Sequence, residues 1–148
     1  MLTKFFVFLR LSAGFVFAAS GFIKLMQPTQ NFLSAIQSYE LLGGTPAVLL
    51  AKTMPWAEFI VGVFLIVGLW SRISILILWL FNTVFIGVVS YALIRRLPIQ
   101  DCGCFGDSFS LPPQKILCLD IALWFVFLSL AAFFDRSKHY GLDKYFED

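Results

Sequence analysis

Charge is what this sequence has least of. Only 14% of its 148 residues are Asp, Glu, Lys or Arg, against 59% hydrophobic, where a soluble domain carries about a quarter charged residues. At a mean hydropathy of +0.86, the apolar surface exceeds what one small globular core can hide, so lipid must be part of the solvent. A net charge of +2 is too small to suggest a nucleic-acid partner. The single histidine, His139, lies in the polar tail, which leaves no buried imidazole to ligate a haem. Leu2 stands where myristoylation needs glycine, and there is no C-terminal cysteine box, so no lipid anchor is signalled. Repeats, low-complexity tracts and linkers are also missing, and the length suits a single membrane domain over residues 1–148.

What is present is four apolar runs of spanning length. A helix needs roughly 20 residues, in a range of about 17–25, to cross the hydrocarbon. The runs cover about residues 5–26, 46–70, 73–94 and 113–134, and the third contains no charge. Backbone groups in lipid must be paired within their own segment, so these are helices and not open strands. The fold class is therefore all-α and integral to the membrane, a four-transmembrane-helix bundle running up-down-up-down. Lys4 followed by an apolar run and "FAASG" resembles a cleavable signal. Arg10 interrupts that run and Lys24 closes it at spanning length, so the first helix is expected to be retained.

The connections differ in kind. Ser71-Arg72 is expected to form a tight turn between spans two and three. Thr45-Pro46 predicts a helix start, with Thr45 as the cap and Pro46 in the first turn, and Pro55 predicts a kink in span two. Between spans one and two, Phe32, Ala35, Ile36 and Tyr39 recur at helical spacing, with Gly43-Gly44 as the stop. That pattern predicts a short interfacial helix. Residues 97–112 form a second long connection, and 135–148 a polar tail.

Four spans put both termini on one side and both long connections on the other. Lys4, Arg10, Arg72, Arg136, Lys138 and Lys144 fall on the terminal side, and Lys24, Lys52, Arg95, Arg96 and Lys115 on the other, six against five. That tally leans to cytoplasmic termini. Two cysteines in the second connection lean the same way, because disulfides persist outside the cytosol. The expectation is a multi-pass protein of the bacterial inner (cell) membrane with its cysteine loop extracytoplasmic.

A charge near mid-bilayer costs on the order of 2.5–3.5 kcal/mol, so those within the spans are informative. Arg10, Gly14, Phe17, Gly21 and Lys24 follow steps of four and three and share a stripe, whose small residues admit a second helix closely. Glu58 and Gly62 share a face of span two, and span four carries Asp120 in its outer half. Pairing Glu58 with Lys24 would offset the burial of both. For Lys24, Lys52, Arg95 and Arg96 the structural reading is preferred, as ion pairs or snorkelling heads. For Glu58 and Asp120, function and structure weigh equally.

The sharpest chemistry is in "DCGCFGD", Asp101 to Asp107. Cys102 and Cys104 can close a small disulfide ring because Gly103 permits an unusual backbone. A strained, exposed disulfide has a higher reduction potential than a relaxed one, and closing so small a loop stabilises little, so a structural staple is a weak account. Three other readings compete: a glycine turn with incidental cysteines, a Cu(I) site on two thiolates, and a docking loop using Phe105 and Phe109. Thiol–disulfide exchange ranks first, docking second, metal third. Cys118, about one and a half turns into span four, reads first as a small buried hydrophobe, and second as a resolving thiol.

With "RLSAGFVFAASGFIKL" (Arg10 to Leu25), "MPWAEFIVG" (Met54 to Gly62) and "DCGCFG" after the third span, the chain resembles the MauE-type branch of the MauE/DoxX membrane proteins over about residues 8–130. The resemblance implies a four-helix bundle in the bacterial inner membrane. It also implies a link to methylamine utilisation, where a disulfide-rich dehydrogenase subunit matures outside the cytosol. On this basis Cys102 and Cys104 are the redox pair, and Arg10, Lys24, Trp56 and Glu58 match recurrent polar positions. Cys118 falls outside that pattern. The expected function is disulfide exchange with a thioredoxin-like extracytoplasmic partner or client, with a quinone near Glu58 and Asp120 as an analogy to other disulfide-generating membrane proteins. The alternative is a non-enzymatic docking subunit or a Cu(I)-binding protein.

Overall fold

A computed structural model of the chain describes residues 2–97 and 112–134. Five helices follow in order: α1 (Leu2–Met26), α2 (Thr29–Ser38), α3 (Gly44–Val67), α4 (Ser71–Arg95) and α5 (Pro113–Ala132). All but α2 are long and apolar enough to cross a membrane. At 1.5 Å per residue, the 25 residues of α4 extend about 37 Å, more than the roughly 30 Å hydrocarbon core. No strand occurs among the described residues. The chain is thus a multi-pass helical membrane protein.

Side-chain pairs fix the directions of the helices. Going up α1, Gly14 lies against Ile66 and Gly21 against Phe59, so α1 and α3 are antiparallel. Phe6 stacks near Phe133 and Phe17 near Phe127, with centroids 5.2 and 5.6 Å apart, so α5 also runs against α1. Asn82 meets Asp120, and Thr83 meets Trp124, which places α4 against α5. The result is the up-down-up-down order.

The outward faces carry large apolar side chains. Phe8, Phe15 and Phe22, spaced by seven on α1, are all exposed, as are Leu76, Leu80 and Val84 on α4. In water this would be a liability; in lipid it is the solvated face. Hydroxyls on these faces do not go unpaired. Ser12, Thr53 and Thr83 each donate to the carbonyl four residues earlier, at 2.8–2.9 Å, which satisfies them where no water is present. The apolar core of Phe6, Ala13, Leu65, Ile75, Leu78, Phe127 and Leu130 occupies the half of the bundle that holds the start of α1 and the end of α3.

Three local expectations are corrected. The turn between spans two and three is Gly68–Trp70, and Ser71 and Arg72 already belong to α4. Gly68 takes φ +75°, and its N–H and that of Leu69 both donate to Phe64 O. Both bonds close on the one carbonyl of Phe64 and need the left-handed residue that glycine supplies. Thr45 is not a cap. α3 begins at Gly44, two residues earlier than expected, with Gly43 in the cap position and no side-chain cap bond. The stop of α2 is not Gly43-Gly44 either: Tyr39 caps it and Glu40 turns left-handed at φ +56°. Gly44, at φ +66°, instead steers the chain into α3. Pro55 lies inside α3, which continues through it. The predicted interfacial helix exists as α2, with Phe32, Ala35 and Ile36 half-buried and Tyr39 buried toward the bundle.

Candidate functional site

The small residues of α1 and α3 come first, because they decide how near the two backbones lie. A Cβ on Gly21 would sit 2.6 Å from Phe59 N and 2.8 Å from Pro55 O, and one on Gly62 would sit 2.6 Å from Ala18 N. Backbone is in the way at both sites, so only glycine permits this approach. One turn beyond Gly21, the same face delivers Lys24 to Glu58. Lys24 Nζ donates to Glu58 Oε2 at 2.7 Å, and the two side chains are 4% and 8% exposed. The Lys24 ammonium also lies 4.9 Å from the centre of the Phe32 ring on α2. The predicted ion pair is therefore real and buried, with α2 over its outer side.

Helices α4 and α5 bring two more polar groups to it. Asn82 and Asp120 are 1% and 8% exposed, and Asn82 Nδ2 donates to the backbone carbonyl of Asp120 at 2.9 Å. Asn82 Oδ1 and Asp120 Oδ2 are buried with no hydrogen-bond partner. Ser20, Lys24, Glu58, Asn82 and Asp120 all border one cavity, whose other walls are Phe17, Phe81, Phe85 and neighbouring aliphatic residues. It is partly open to the outside.

A second, more apolar cavity lies beneath α2, against Phe32, Ile36, Tyr39, Leu50 and Val88. Lys24, Met54, Glu58 and Phe85 line both cavities. The ion pair therefore stands at the boundary between a polar-tipped pocket in the bundle and an apolar passage under the interfacial helix.

The remaining sequence candidates fall elsewhere. Arg10 is buried, 1% exposed, but lies fourteen residues before Lys24, about 21 Å away along α1, and does not line either cavity. Trp56 is 57% exposed on the outward side of α3. Cys118 is exposed, which corrects the expectation of a buried hydrophobe: it lies two residues from both Ile116 and Asp120, which are buried, and a step of two reaches the opposite side of a helix. Cys102 and Cys104 lie outside the described residues, in the connection that joins the end of α4 to the start of α5. No cluster of three or more metal-ligating side chains occurs among the described residues. Asn82 and Ser20 were not anticipated as site residues. Asn82 could have been found as the one amide in an otherwise apolar span, since polar side chains in mid-membrane turn inward.

Residues 2–134 match the family model described as methylamine utilisation protein MauE. No curated protein and no solved structure matches.

Proposed function

This chain belongs to the methylamine utilisation protein MauE family, and from that premise we propose that it is a membrane thiol–disulfide redox protein working through Cys102 and Cys104. The observation that carries the reading is the Cys-Gly-Cys pair in a connection flanked by two spanning helices, at the end of the bundle where the buried Lys24–Glu58 pair lies. Asp120 is seven residues into α5, about 10 Å from its start, so the polar cavity lies in the half of the bundle that holds the start of α5.

The partner is an extracytoplasmic protein with a thioredoxin-like Cys-x-x-Cys. Its thiolate attacks one sulfur of the Cys102–Cys104 bond, that bond breaks, and a mixed disulfide forms. The partner's second thiol then resolves it. The partner loses two electrons and two protons and gains a disulfide; Cys102 and Cys104 end as two thiols. The exchange is reversible, and its direction follows the two potentials. In the bacterial inner membrane, with cytoplasmic termini, such a protein would support disulfide formation in a periplasmic enzyme of methylamine utilisation.

A lipid-soluble quinone suits the lining of the cavity, whose aromatic and aliphatic walls match its ring. Bound there, it would supply a two-electron, two-proton reservoir. The protein's part is to hold the ring and to keep Glu58 and Lys24 paired beside it.

The test is capture. Cys102→Ser and Cys104→Ser are made singly, and mixed disulfides are trapped in membranes by acid quenching and alkylation. At least one variant should accumulate a covalent partner that wild type releases. No capture by either variant, with client maturation intact in both, overturns the proposal.

A further inference from the structure

Two buried acceptors facing one cavity limit what can bind there. Asn82 cannot be turned round, because its Nδ2 donates to the backbone carbonyl of Asp120 at 2.9 Å, a group that only accepts. Its Oδ1 is therefore fixed as an acceptor, and this oxygen and Asp120 Oδ2 have no donor in the protein. Leaving buried acceptors unsatisfied is costly, and both residues border the cavity, so a bound molecule that brings a donor recovers that cost. A metal cation would face the Lys24 ammonium on the same wall, and the described residues hold no cluster of metal ligands. A neutral hydroxyl suits the site better. The second cavity adds the rest of the molecule. It joins the first along Lys24, Met54, Glu58 and Phe85 and is otherwise apolar, so a ring lodged at Asn82 has an apolar exit beneath α2.

We infer that the cavity receives the hydroxylated ring of a membrane-soluble quinol, with Asn82 and Asp120 accepting its hydroxyl hydrogen and its tail leaving between α2, α3 and α4. The site thus prefers the reduced form of the carrier, which has a hydrogen to donate, over the oxidised form, which has none. Choosing a quinol rests on the redox reading above; the hydroxyl requirement rests on Asn82 and Asp120 alone.

The test omits thiol chemistry, so the two proposals can fail separately. Full-length protein carrying Cys102→Ser and Cys104→Ser is placed in quinone-free nanodiscs, where it cannot oxidise the ligand. Binding of decylubiquinol, decylubiquinone, 4-decylphenol and 1-decanol is measured by anaerobic equilibrium titration. Decylubiquinol should bind at least about tenfold more tightly than decylubiquinone, the size of satisfying one buried acceptor. 4-Decylphenol should compete and 1-decanol should not. Asp120→Asn and Asn82→Leu should each lower quinol affinity by about tenfold and shrink the preference. Asn82→Ser, which keeps a small polar group, serves if the leucine variant does not fold. Equal binding of quinol and quinone, or quinol binding unchanged in the Asn82 and Asp120 variants, overturns the inference. Competition by 1-decanol as strong as by the phenol also overturns it, assigning the cavity to alcohol-bearing lipids in general.

Discussion

Lys24→Met tests whether the buried ion pair holds the bundle together. The substitution keeps a long unbranched side chain and removes the ammonium 2.7 Å from Glu58 Oε2. Both side chains are more than nine-tenths buried, so the carboxylate left behind has little water to turn to. Breaking such a pair by removing one partner costs about 3–5 kcal/mol, and losing the ammonium over Phe32 adds about 0.5–1 kcal/mol. Glu58→Met strands the ammonium instead and should cost a similar amount. The double variant removes both charges and fills the same space with apolar atoms, so it should return to within about 1 kcal/mol of wild type. The assay is reversible unfolding in mixed detergent micelles followed by tryptophan fluorescence, as a complete double-mutant cycle. A coupling energy of about 3 kcal/mol or more is expected. Single variants whose effects add to within about 0.5 kcal/mol would show that the pair is not formed in the membrane.

The close contact of α1 and α3 gives a second outcome. Gly21→Ala or Gly62→Ala pushes a methyl into backbone at 2.6 Å and should cost about 1–3 kcal/mol in the same unfolding assay. Gly87→Ala, with open space around its Cβ, should gain about 0.5–1 kcal/mol; equal effects at Gly21 and Gly87 would contradict the packing described. Cys118, exposed on the outer side of α5, should react with a membrane-permeant maleimide without unfolding, and Cys118→Ala should change stability by less than about 0.5 kcal/mol. A membrane-impermeant thiol reagent should label the reduced Cys102–Cys104 loop in intact spheroplasts, whereas labelling only after lysis would invert the topology.

Much of the architecture was written in local composition. Spanning length and missing charge located α1, α3, α4 and α5, and the four-and-three spacing of Phe32, Ala35, Ile36 and Tyr39 located α2. The Lys24–Glu58 pair was legible because burial of either charge alone is too costly, and the Gly14–Gly21 stripe already pointed to a close helix neighbour. Helix ends were less legible: a single left-handed residue, Gly68 or Glu40, decides them, and several residues nearby had competing claims. Cys118 was misplaced because apolar composition around the whole of α5 hides which side faces the core; in lipid, hydrophobicity does not mark the inside. The cavity itself was invisible for a different reason. It is made where four helices fail to meet, and no segment of sequence records that. Asn82 carried a signal of its own, a lone amide in an apolar span, but its partner is a backbone carbonyl on a helix 38 residues away.

The central claim is that Cys102 and Cys104 form a couple built to exchange. Full-length protein in lipid, with Cys118→Ala to leave only the two loop thiols, is equilibrated across a series of thiol/disulfide buffers, and the alkylated fraction is counted by mass spectrometry. The account predicts one two-electron transition between a dithiol and an intramolecular disulfide, at a potential above about −300 mV, the region where structural disulfides give way to exchanging ones. Two cysteines that stay reduced across the whole series, or a disulfide that no buffer reduces, would contradict it.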